Sequence, residues 1–242
     1  MMKNIRRNLY EYVVQELGLR IIRGDYVSGD TLPNEDSLCK ELEVSRGVLR
    51  EAMKVLIQKG MIESKPKIGT LILPRHFWNL FDPDVLIWKY QAGDKREFLK
   101  NVMEVRRIIE AEASKLAAER ANMEEIAHIR SLYDQMAAML NNQSPDADER
   151  LMFDDLRLHS AILEASGNEL IAQIGHTMRQ ALLTARQSDR HDREAQKTSM
   201  SSHWQIVEAI SRHDPEQAYR AAQRHIDQVW QEMQEQRTWE AT

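Results

Sequence analysis

Residues 24–62, GDYVSGDTLPNEDSLCKELEVSRGVLREAMKVLIQKGMI, decide the fold of the N-terminal part of the chain. Their first ten residues contain two glycines and a proline, which favours a loop, and a short helix is predicted from about Asn34 to Leu42. Ser45 is a suitable N-cap for the next helix, which runs to about Lys59 and is stopped by the glycine after it. Only about three residues separate the two helices, which is the spacing of a helix-turn-helix.

The flanking segments complete a winged helix-turn-helix. Residues 6–23 carry apolar side chains at helical spacing and predict a first helix. Downstream, MIES and TLILP predict two short strands around a turn in which Gly69 can adopt a positive φ. Three helices and a two-stranded hairpin over residues 1–75 make this fold.

Basic side chains stand where such a domain meets DNA. Arg46 and Arg50 are four residues apart and project from one face of the second helix of the motif. A guanidinium can bond O6 and N7 of guanine together, and the backbone amides of residues 45–47 can approach phosphate. Lys65 and Lys67 at the hairpin tip would meet phosphate or the minor groove. Two arginines on a helix can also be a solvated face, but the helix spacing and the basic hairpin together favour DNA binding.

The same stretch resembles the GntR-type winged helix, whose pattern is G-x-x-x-x-G-x-x-L-P-x-E, then V-S-R-x-x-[VL]-R-E-A, then L-x-x-x-G-[LM]-I. The resemblance implies that these residues contact DNA: Ser45, Arg46 and Arg50 from the helix, and Lys65, Lys67, Gly69 and Thr70 from the wing. Two departures stand out. The family usually places a DNA-contacting arginine where this chain has Asp36, and its wing often reads G-x-G where this chain has Lys67-Ile68-Gly69. A different operator preference is therefore expected.

Size and composition indicate a globular chain with room for two domains. It has 242 residues, of which 42% are hydrophobic and 29% charged. No apolar run approaches the roughly 18 to 20 residues of a membrane span, and the N-terminus lacks the apolar region of a signal peptide. The single cysteine, Cys39, cannot form an internal disulfide, so a reducing cytoplasm is the expected compartment.

The net charge of −5 is unevenly distributed. Residues 1–75 hold 13 of the 33 Lys and Arg residues and 10 of the 38 Asp and Glu residues, a balance of +3 that leaves −8 for the remainder. A mildly basic domain on an acidic body is typical of a nucleic-acid reader whose other part has a different task.

A connector and a helical domain follow. Residues 76–95 form the connector, which is too apolar for a free linker and is expected to pack against one or both domains. Its apolar side chains, all of which are expected to be buried, are Phe77, Trp78, Leu80, Phe81, Leu86, Ile87 and Trp88. Residues 96–238 are helical almost throughout, with breaks near 141–149, 166–168, 190–202 and 213–215. The predicted fold is mostly α: a winged helix-turn-helix followed by an all-α bundle of about six helices.

Four side chains of the helical domain form a candidate metal site. Asp155 and His159 lie four residues apart on a helical stretch, and His203 and His225 lie on two later ones. One carboxylate oxygen and three imidazole nitrogens suit zinc, nickel, manganese or a related divalent ion. A lone histidine in a helix is more often packed or solvent-facing, and an Asp–His pair at this spacing is also a common helix contact. From these residues alone both interpretations stay open.

A second resemblance bears on that choice. MEVRRIIEAEASKLAAERA, FDDLRLHSAILEASGN and HWQIVEAISRHDPEQAYRAAQRH are similar to the all-helical FCD ligand domain of the FadR subgroup, whose metal-binding members use D-x-x-x-H, then H-x-x-[IL]-x-x-A-[IL], then a final histidine. The resemblance implies Asp155, His159, His203 and His225 as ligands, with zinc expected in a purified sample and nickel or manganese as alternatives. It also places Arg106 towards an effector cavity. Asn168 matches a family position, but can equally be a helix N-cap.

These features together predict a cytoplasmic, homodimeric transcription regulator, a repressor rather than an activator, that binds a pseudo-palindromic DNA operator and responds to a small organic acid. The connector pattern F-W-N-x-x-D-x-D-V-L-x-W resembles that of regulators of sugar-acid catabolism, the galactonate type among them, which favours a sugar acid. One alternative is a ligand-insensitive regulator with a purely structural metal. A metal-dependent hydrolase is the other, although no general base stands at motif spacing, and an enzyme is not expected.

Overall fold

A computed structural model describes residues 2–140, 144, 147–186 and 193–236. The chain has two compact units, Met1–Phe98 and Leu99–Thr242. Within the described residues, helices are too short or too polar to cross a membrane.

The first unit contains the predicted winged helix-turn-helix. Its helices are α1 (Met2–Arg23), α2 (Glu35–Glu41) and α3 (Arg46–Gln58), followed by an antiparallel hairpin of β1 (Ile62–Lys65) and β2 (Gly69–Ile72). Both short helices start at side-chain caps: Asn34 Oδ1 accepts from the Ser37 amide at 2.9 Å, and Ser45 Oγ accepts from the Val48 amide at 3.4 Å. Local capping thus fixes where the two helices of the motif begin.

The core of the first unit orients α3. Leu49, Ala52 and Leu56 are fully buried on its inner face, where they pack in one cluster with Leu17 of α1 and Ile62 of β1. Each buried leucine contributes about 1.5–3 kcal/mol. The opposite face of α3 stays in solvent, because the cluster takes up the apolar positions, and that is the face that carries Arg46 and Arg50.

The connector packs on this domain. A short 3₁₀ turn (Arg75–Phe77) leads to α4 (Pro83–Ala92), which packs against α1. A side chain at Gly18 would clash with the Trp88 ring, since its Cβ would lie 2.5 Å from the nearest ring atom. At the end of α3, Lys59 Nζ lies 2.6 Å from Asp82 Oδ1 and 2.7 Å from Asp84 Oδ2. The connector therefore belongs to the first unit.

The expectation that the whole apolar set of the connector is buried was wrong in part. Trp78, Leu86 and Trp88 are buried and Ile87 packs against the cluster, but Phe77, Leu80 and Phe81 are 58%, 40% and 54% exposed. These three lie on the turns before α4. The inner side of those turns is already taken by the Trp78 ring, whose Nε1 donates to the Leu73 carbonyl at 2.9 Å.

The described part of the second unit consists of helices joined by short turns. Six helices make it: α5 (Lys95–Arg120, which starts in the first unit), α6 (Met123–Leu140), α7 (Ala147–Ala165), α8 (Glu169–Arg186), α9 (Arg193–Ser211) and α10 (Pro215–Gln236). Neighbouring helices pair as α6–α7, α7–α8 and α9–α10, and α6 also packs on α9. Alanines of α5, α7, α9 and α10 fill much of the core, which lets the helix axes approach closely.

One predicted break is much shorter than expected. α9 already begins at Arg193, so residues 193–202 are helical; this polar stretch contains neither glycine nor proline, and polar composition alone does not end a helix. Residues 190–192 of that break, and 141–143 and 145–146 of the earlier one, lie outside the described residues.

Candidate metal centre and nucleic-acid interface

The four predicted metal ligands lie together in the second unit. α7 presents Asp155 and His159 one turn apart, α9 presents His203 and α10 presents His225. The Nε2 atoms of His159 and His203 are 3.0 Å apart, and Asp155 Oδ1 lies 3.0 Å from the latter and 3.7 Å from the former. One nitrogen from each of the three rings falls within 4.8 Å of the others. Three separate helices therefore bring four donors to one point.

These separations fit a divalent metal ion. With metal–nitrogen bonds of about 2.0–2.1 Å, neighbouring ligand atoms of a tetrahedral site lie about 3.3 Å apart. The distances of 3.0 to 3.7 Å among Asp155, His159 and His203 bracket that value. The donor set, three imidazoles and one carboxylate, belongs to borderline ions such as zinc rather than to calcium or magnesium.

The hydrogen bonds of His203 and His225 leave their Nε2 atoms free to ligate. His203 Nδ1 donates to the Ser199 carbonyl at 2.8 Å, because a carbonyl oxygen only accepts. Ser202 Oγ uses its proton on the same carbonyl at 2.8 Å, so it accepts from His225 Nδ1 at 2.9 Å. Both rings are thus held in the tautomer that directs a lone pair towards the common point.

A buried carboxylate fixes the tautomer of His159 in the same way. Glu110 on α5 accepts from His159 Nδ1 at 2.9 Å and from Arg106 Nε at 2.6 Å. Arg179 on α8 lies 3.6 Å from the Glu110 carboxylate and 3.4 Å from that of Asp155. We call Arg106, Glu110, Asp155, His159 and Arg179 the charge cluster; all but Asp155, which is 23% exposed, are almost completely buried.

The charge cluster sets the protonation states that a metal requires. Burial raises the pKa of Glu110, but the charges of Arg106 and Arg179 outweigh burial and hold that pKa well below its usual value. The pKa of Asp155 is likewise low, since His159, His203 and Arg179 outweigh burial. Burial, reinforced by Arg179, lowers the pKa of His159 to about 4. Near neutral pH the carboxylates are ionised and this imidazole is neutral, as ligation demands.

A small cavity adjoins the metal ligands. Its polar lining is Glu110, Ser114, His159 and His225, and its apolar lining is Ala113, Ile162, Leu163, Ile206, Ala222 and Ile226. It has room for about one water molecule.

The predicted effector residues differ in their surroundings. Arg106 is buried beside the site, but its guanidinium is engaged with Glu110 through Nε and, at 3.4 Å, through Nη2. Asn168 caps α8: its Oδ1 accepts from the amides of Leu170 at 3.1 Å and Ile171 at 3.2 Å. The structure thus shows the helix-cap role of Asn168, one of the two roles that the sequence left open.

Sequence reasoning missed four residues of the site. Glu110 could have been found, because it lies one helical turn after Arg106, and Ser199 could have been found because it lies one turn before His203 on the same helix. Ser202 directly precedes that histidine, yet its bond goes to His225 on another helix. No local pattern marks Arg179, whose partners lie on α5 and α7.

On the first unit, α3 presents the two predicted DNA-contacting arginines, and each is paired. Arg46 Nη2 lies 2.7 Å from Asp36 Oδ1, and Arg50 Nη2 lies 3.1 Å from Glu35 Oε2. Both carboxylates belong to the first turn of α2. Asp36, the departure from the family pattern, is therefore a direct partner of α3.

The turn of the wing has positive φ angles, which are typical of glycine, although Lys67 replaces the first glycine of the family pattern. Lys67 has a φ of 66° and Gly69 a φ of 114°, while Lys65 stands opposite Gly69 and Thr70 opposite Ser64 in the hairpin. A left-handed conformation costs a non-glycine residue about 1–2 kcal/mol. Lys67 adopts this strained conformation at the exposed tip of the hairpin. Strained residues of this kind are often found at functional sites.

Comparison with known proteins agrees with this geometry. The FCD domain family matches residues 101–228, and the bacterial regulatory proteins of the gntR family match residues 9–72. The galactonate operon transcriptional repressor of Escherichia coli (strain K12) is 35% identical over 167 residues, 69% of this chain and 71% of that protein. The HTH-type regulator YieP of the same organism, described as uncharacterized, is 31% identical over 221 residues, 90% of this chain and 92% of that protein.

A solved structure shares the fold. Streptococcus agalactiae GntR superposes with a TM-score of 0.52 at 21% identity and covers 92% of this chain and 99% of that one. The families and the curated relatives are transcription regulators, not enzymes. This chain therefore belongs to the gntR family of bacterial regulatory proteins, with an FCD domain as its C-terminal part.

Proposed function

We propose that this chain is a metal-dependent transcriptional repressor whose affinity for its operator is controlled by a small organic acid. The observation that carries the proposal is the charge balance of the charge cluster. Two guanidinium groups face two carboxylates, and imidazoles must be neutral to ligate a metal. A divalent ion would add two positive charges to a largely buried site, which is costly unless an anion joins it.

A hydroxy acid supplies what this site lacks. Asp155, His159, His203 and His225 would hold the ion, and an ion with four protein ligands still offers one or two positions to oxygen donors. Carboxylate and hydroxyl oxygens of one molecule can chelate there, and the carboxylate offsets the excess charge. Arg106 and Arg179 are the cationic groups nearest to such a ligand, since both contact Glu110, which lines the cavity.

A sugar acid, an aldonate or an acid derived from a uronate, is the proposed class. The relative named for the galactonate operon and the connector pattern both support it. Six carbons do not fit a cavity with room for about one water, so the effector requires a more open arrangement of the surrounding helices. A ligand that binds only the open arrangement shifts the population towards it, and that difference in affinity is what a switch requires.

The DNA-reading half of the proposal rests on the first unit. A homodimer would place two copies of α3 on the half-sites of a pseudo-palindromic operator. The proposed contacts are Ser45, Arg46, Arg50, Lys65, Lys67, Gly69 and Thr70. The connector, which is anchored to the end of α3 by Lys59, is the segment through which a change in the second unit would reach the winged helix.

The test is a thermal-shift screen of the full chain, stripped of metal or loaded with zinc, nickel or manganese. Each form is exposed to aldonates, uronate-derived acids, simple hydroxy acids and dicarboxylates. We expect metal to raise the melting temperature, and one class of sugar acid to raise it further only in the loaded form, because a ligand of the folded state stabilises it by mass action. Operator release by the same acid, in a gel-shift assay, completes the test.

A matched pair of variants identifies the site. His203→Ala should lose the metal-dependent shift and the acid response, whereas His128→Ala, an exposed histidine on α6, should retain both. Metal stabilisation with no response to any acid would overturn the effector proposal and leave a structural metal in a ligand-insensitive regulator. Unchanged metal content in His203→Ala would show that the ligand set is wrong.

A further inference from the structure

The exposed face of α3 that carries Arg46 and Arg50, which we call the recognition face, meets two carboxylates from α2. Arg46 is paired with Asp36 and Arg50 with Glu35, and all four side chains are about half exposed or more. Two cations and two anions leave this face neutral. General electrostatic attraction to DNA phosphates therefore has to come from other residues, and it does not explain why these two arginines are paired with carboxylates.

The atoms used in the pairing are informative. Asp36 Oδ1 accepts from Arg46 Nε at 2.9 Å and lies 2.7 Å from Nη2. Glu35 accepts from Arg50 Nε at 3.2 and 3.1 Å and lies 3.1 Å from Nη2. In both cases the carboxylate occupies the Nε side of the guanidinium. The outer edge, formed by Nη1 and the second hydrogen of Nη2, carries two donors that can bond O6 and N7 of guanine together.

We propose that Asp36 is a positioning residue for base reading, which orients the outer edge of Arg46 towards a guanine, and that Glu35 does the same for Arg50. This inference rests on the proposed DNA-reading function. A flexible arginine loses several side-chain rotations when it binds a base, and a carboxylate that already holds one edge of the guanidinium removes part of that loss beforehand. The expected benefit is discrimination between bases rather than general affinity for DNA.

A counter-ion role makes the opposite prediction. If Asp36 only neutralises Arg46 in the free protein, its removal strengthens binding to every DNA sequence equally, because one negative charge near phosphate is gone. If Asp36 positions Arg46, its removal also strengthens non-specific binding but weakens the preference for guanine. The ratio of the two affinities therefore separates the roles.

The experiment starts with the wild-type full chain and a library of randomised double-stranded DNA, from which a preferred half-site is selected. Dissociation constants are then measured for that duplex, for duplexes in which each guanine is replaced in turn, and for an unrelated duplex. We expect replacement of the guanine read by Arg46 to weaken wild-type binding roughly 10- to 100-fold. In Asp36→Ala the same replacement should cost only about 3-fold, while affinity for the unrelated duplex rises.

Two further variants serve as controls. Asp36→Asn keeps an acceptor oxygen and should retain much of the guanine preference. Asp25→Asn removes the same charge from an exposed position on the turn after α1 and should leave the preference at its wild-type value. Circular dichroism of all variants checks the fold, which a change at such exposed positions should not alter.

Different outcomes overturn different claims. An unchanged guanine penalty in Asp36→Ala, or an equal loss in Asp25→Asn, overturns the positioning role and leaves DNA reading intact. Arg46→Ala should lose the preference at that base pair; if it keeps the preference, the assignment of Arg46 fails, and the role of Asp36 fails with it. If the wild-type chain selects no sequence, DNA reading itself is overturned.

Discussion

Arginine–carboxylate pairs occur in both units of this protein, in opposite surroundings. On the first unit Arg46 and Asp36 are 65% and 62% exposed, whereas in the second unit Arg106 and Glu110 are 2% and 4% exposed. An exposed pair contributes about 0–1 kcal/mol, because water solvates both partners almost as well when they separate. Loss of one partner of a buried pair costs about 3–5 kcal/mol, since the remaining charge cannot reach water. The same kind of ion pair therefore adds little to the stability of the first unit, whereas the second unit depends on it for its stability.

A third pair lies between these extremes. Lys59, at the end of α3, is 7% exposed, and its partner Asp82 on the connector is 21% exposed. If access to water decides what such a contact contributes, the three pairs should form a graded series. Stability measurements on one variant of each pair test whether the losses follow this order.

The largest loss is expected for the buried pair. Arg106→Met keeps most of the side-chain volume and leaves the Glu110 charge with less compensation, so the metal-free protein should lose about 3–5 kcal/mol of unfolding free energy. Urea denaturation measures this loss. The double variant Arg106→Met/Glu110→Gln should recover part of it, because Gln carries no charge. A loss below about 1 kcal/mol would show that burial does not control the strength of this pair.

The intermediate loss is expected at the connector. Burial lowers the pKa of Lys59, but the hydrogen bonds to Asp82 and Asp84 outweigh burial. The resulting pKa lies above the usual value of 10.5. A raised folded-state pKa stabilises the protein fully below its unfolded value and loses this contribution only as pH rises through the raised pKa. Lys59→Met should therefore cost about 1–3 kcal/mol, equally at pH 6 and pH 9.

Lys54→Met is the matched control for the connector, since Lys54 lies on the same helix and pairs with Glu51 in full solvent. It should cost less than about 1 kcal/mol. Equal losses in the two lysine variants would show that the Lys59 contacts do not anchor the connector. They would also contradict the proposed route from the second unit to the winged helix.

Sequence was a good guide where structure depends on neighbours along the chain. The caps at Asn34 and Ser45, the stop after Lys59 and the helical spacing of apolar residues are local signals, and they located the winged helix and the six helices that make up the described part of the second unit. Asp155 and His159 were also marked locally by their spacing. The resemblance to FCD domains favoured them, with His203 and His225, as metal ligands, and the structure brings the three imidazoles to the same point.

Sequence was a poor guide where a role depends on packing between distant helices. Arg179 joins Glu110 to Asp155 only because α8 packs beside α7, and nothing near residue 179 in the sequence indicates this. The exposure of Phe77 and Phe81 was missed for the same reason, since apolar character predicts burial without saying how much inner surface a turn offers. Partners across the core are fixed by the fold as a whole.

The smallest loss is expected on the recognition face, and it is the most informative end of the series. Arg46→Ala should change the unfolding free energy by less than about 1 kcal/mol, because Asp36 is left in water, and the change should shrink further in about 1 M salt, where exposed charges are screened within about 3 Å. Urea denaturation at low and high salt measures both effects. A loss as large as that of Lys59→Met would mean that this pair holds α2 against α3 and is not available to DNA. A small loss combined with a large loss of operator affinity would show that the exposed pair is kept for recognition, since stability alone gives no reason to hold two charges there.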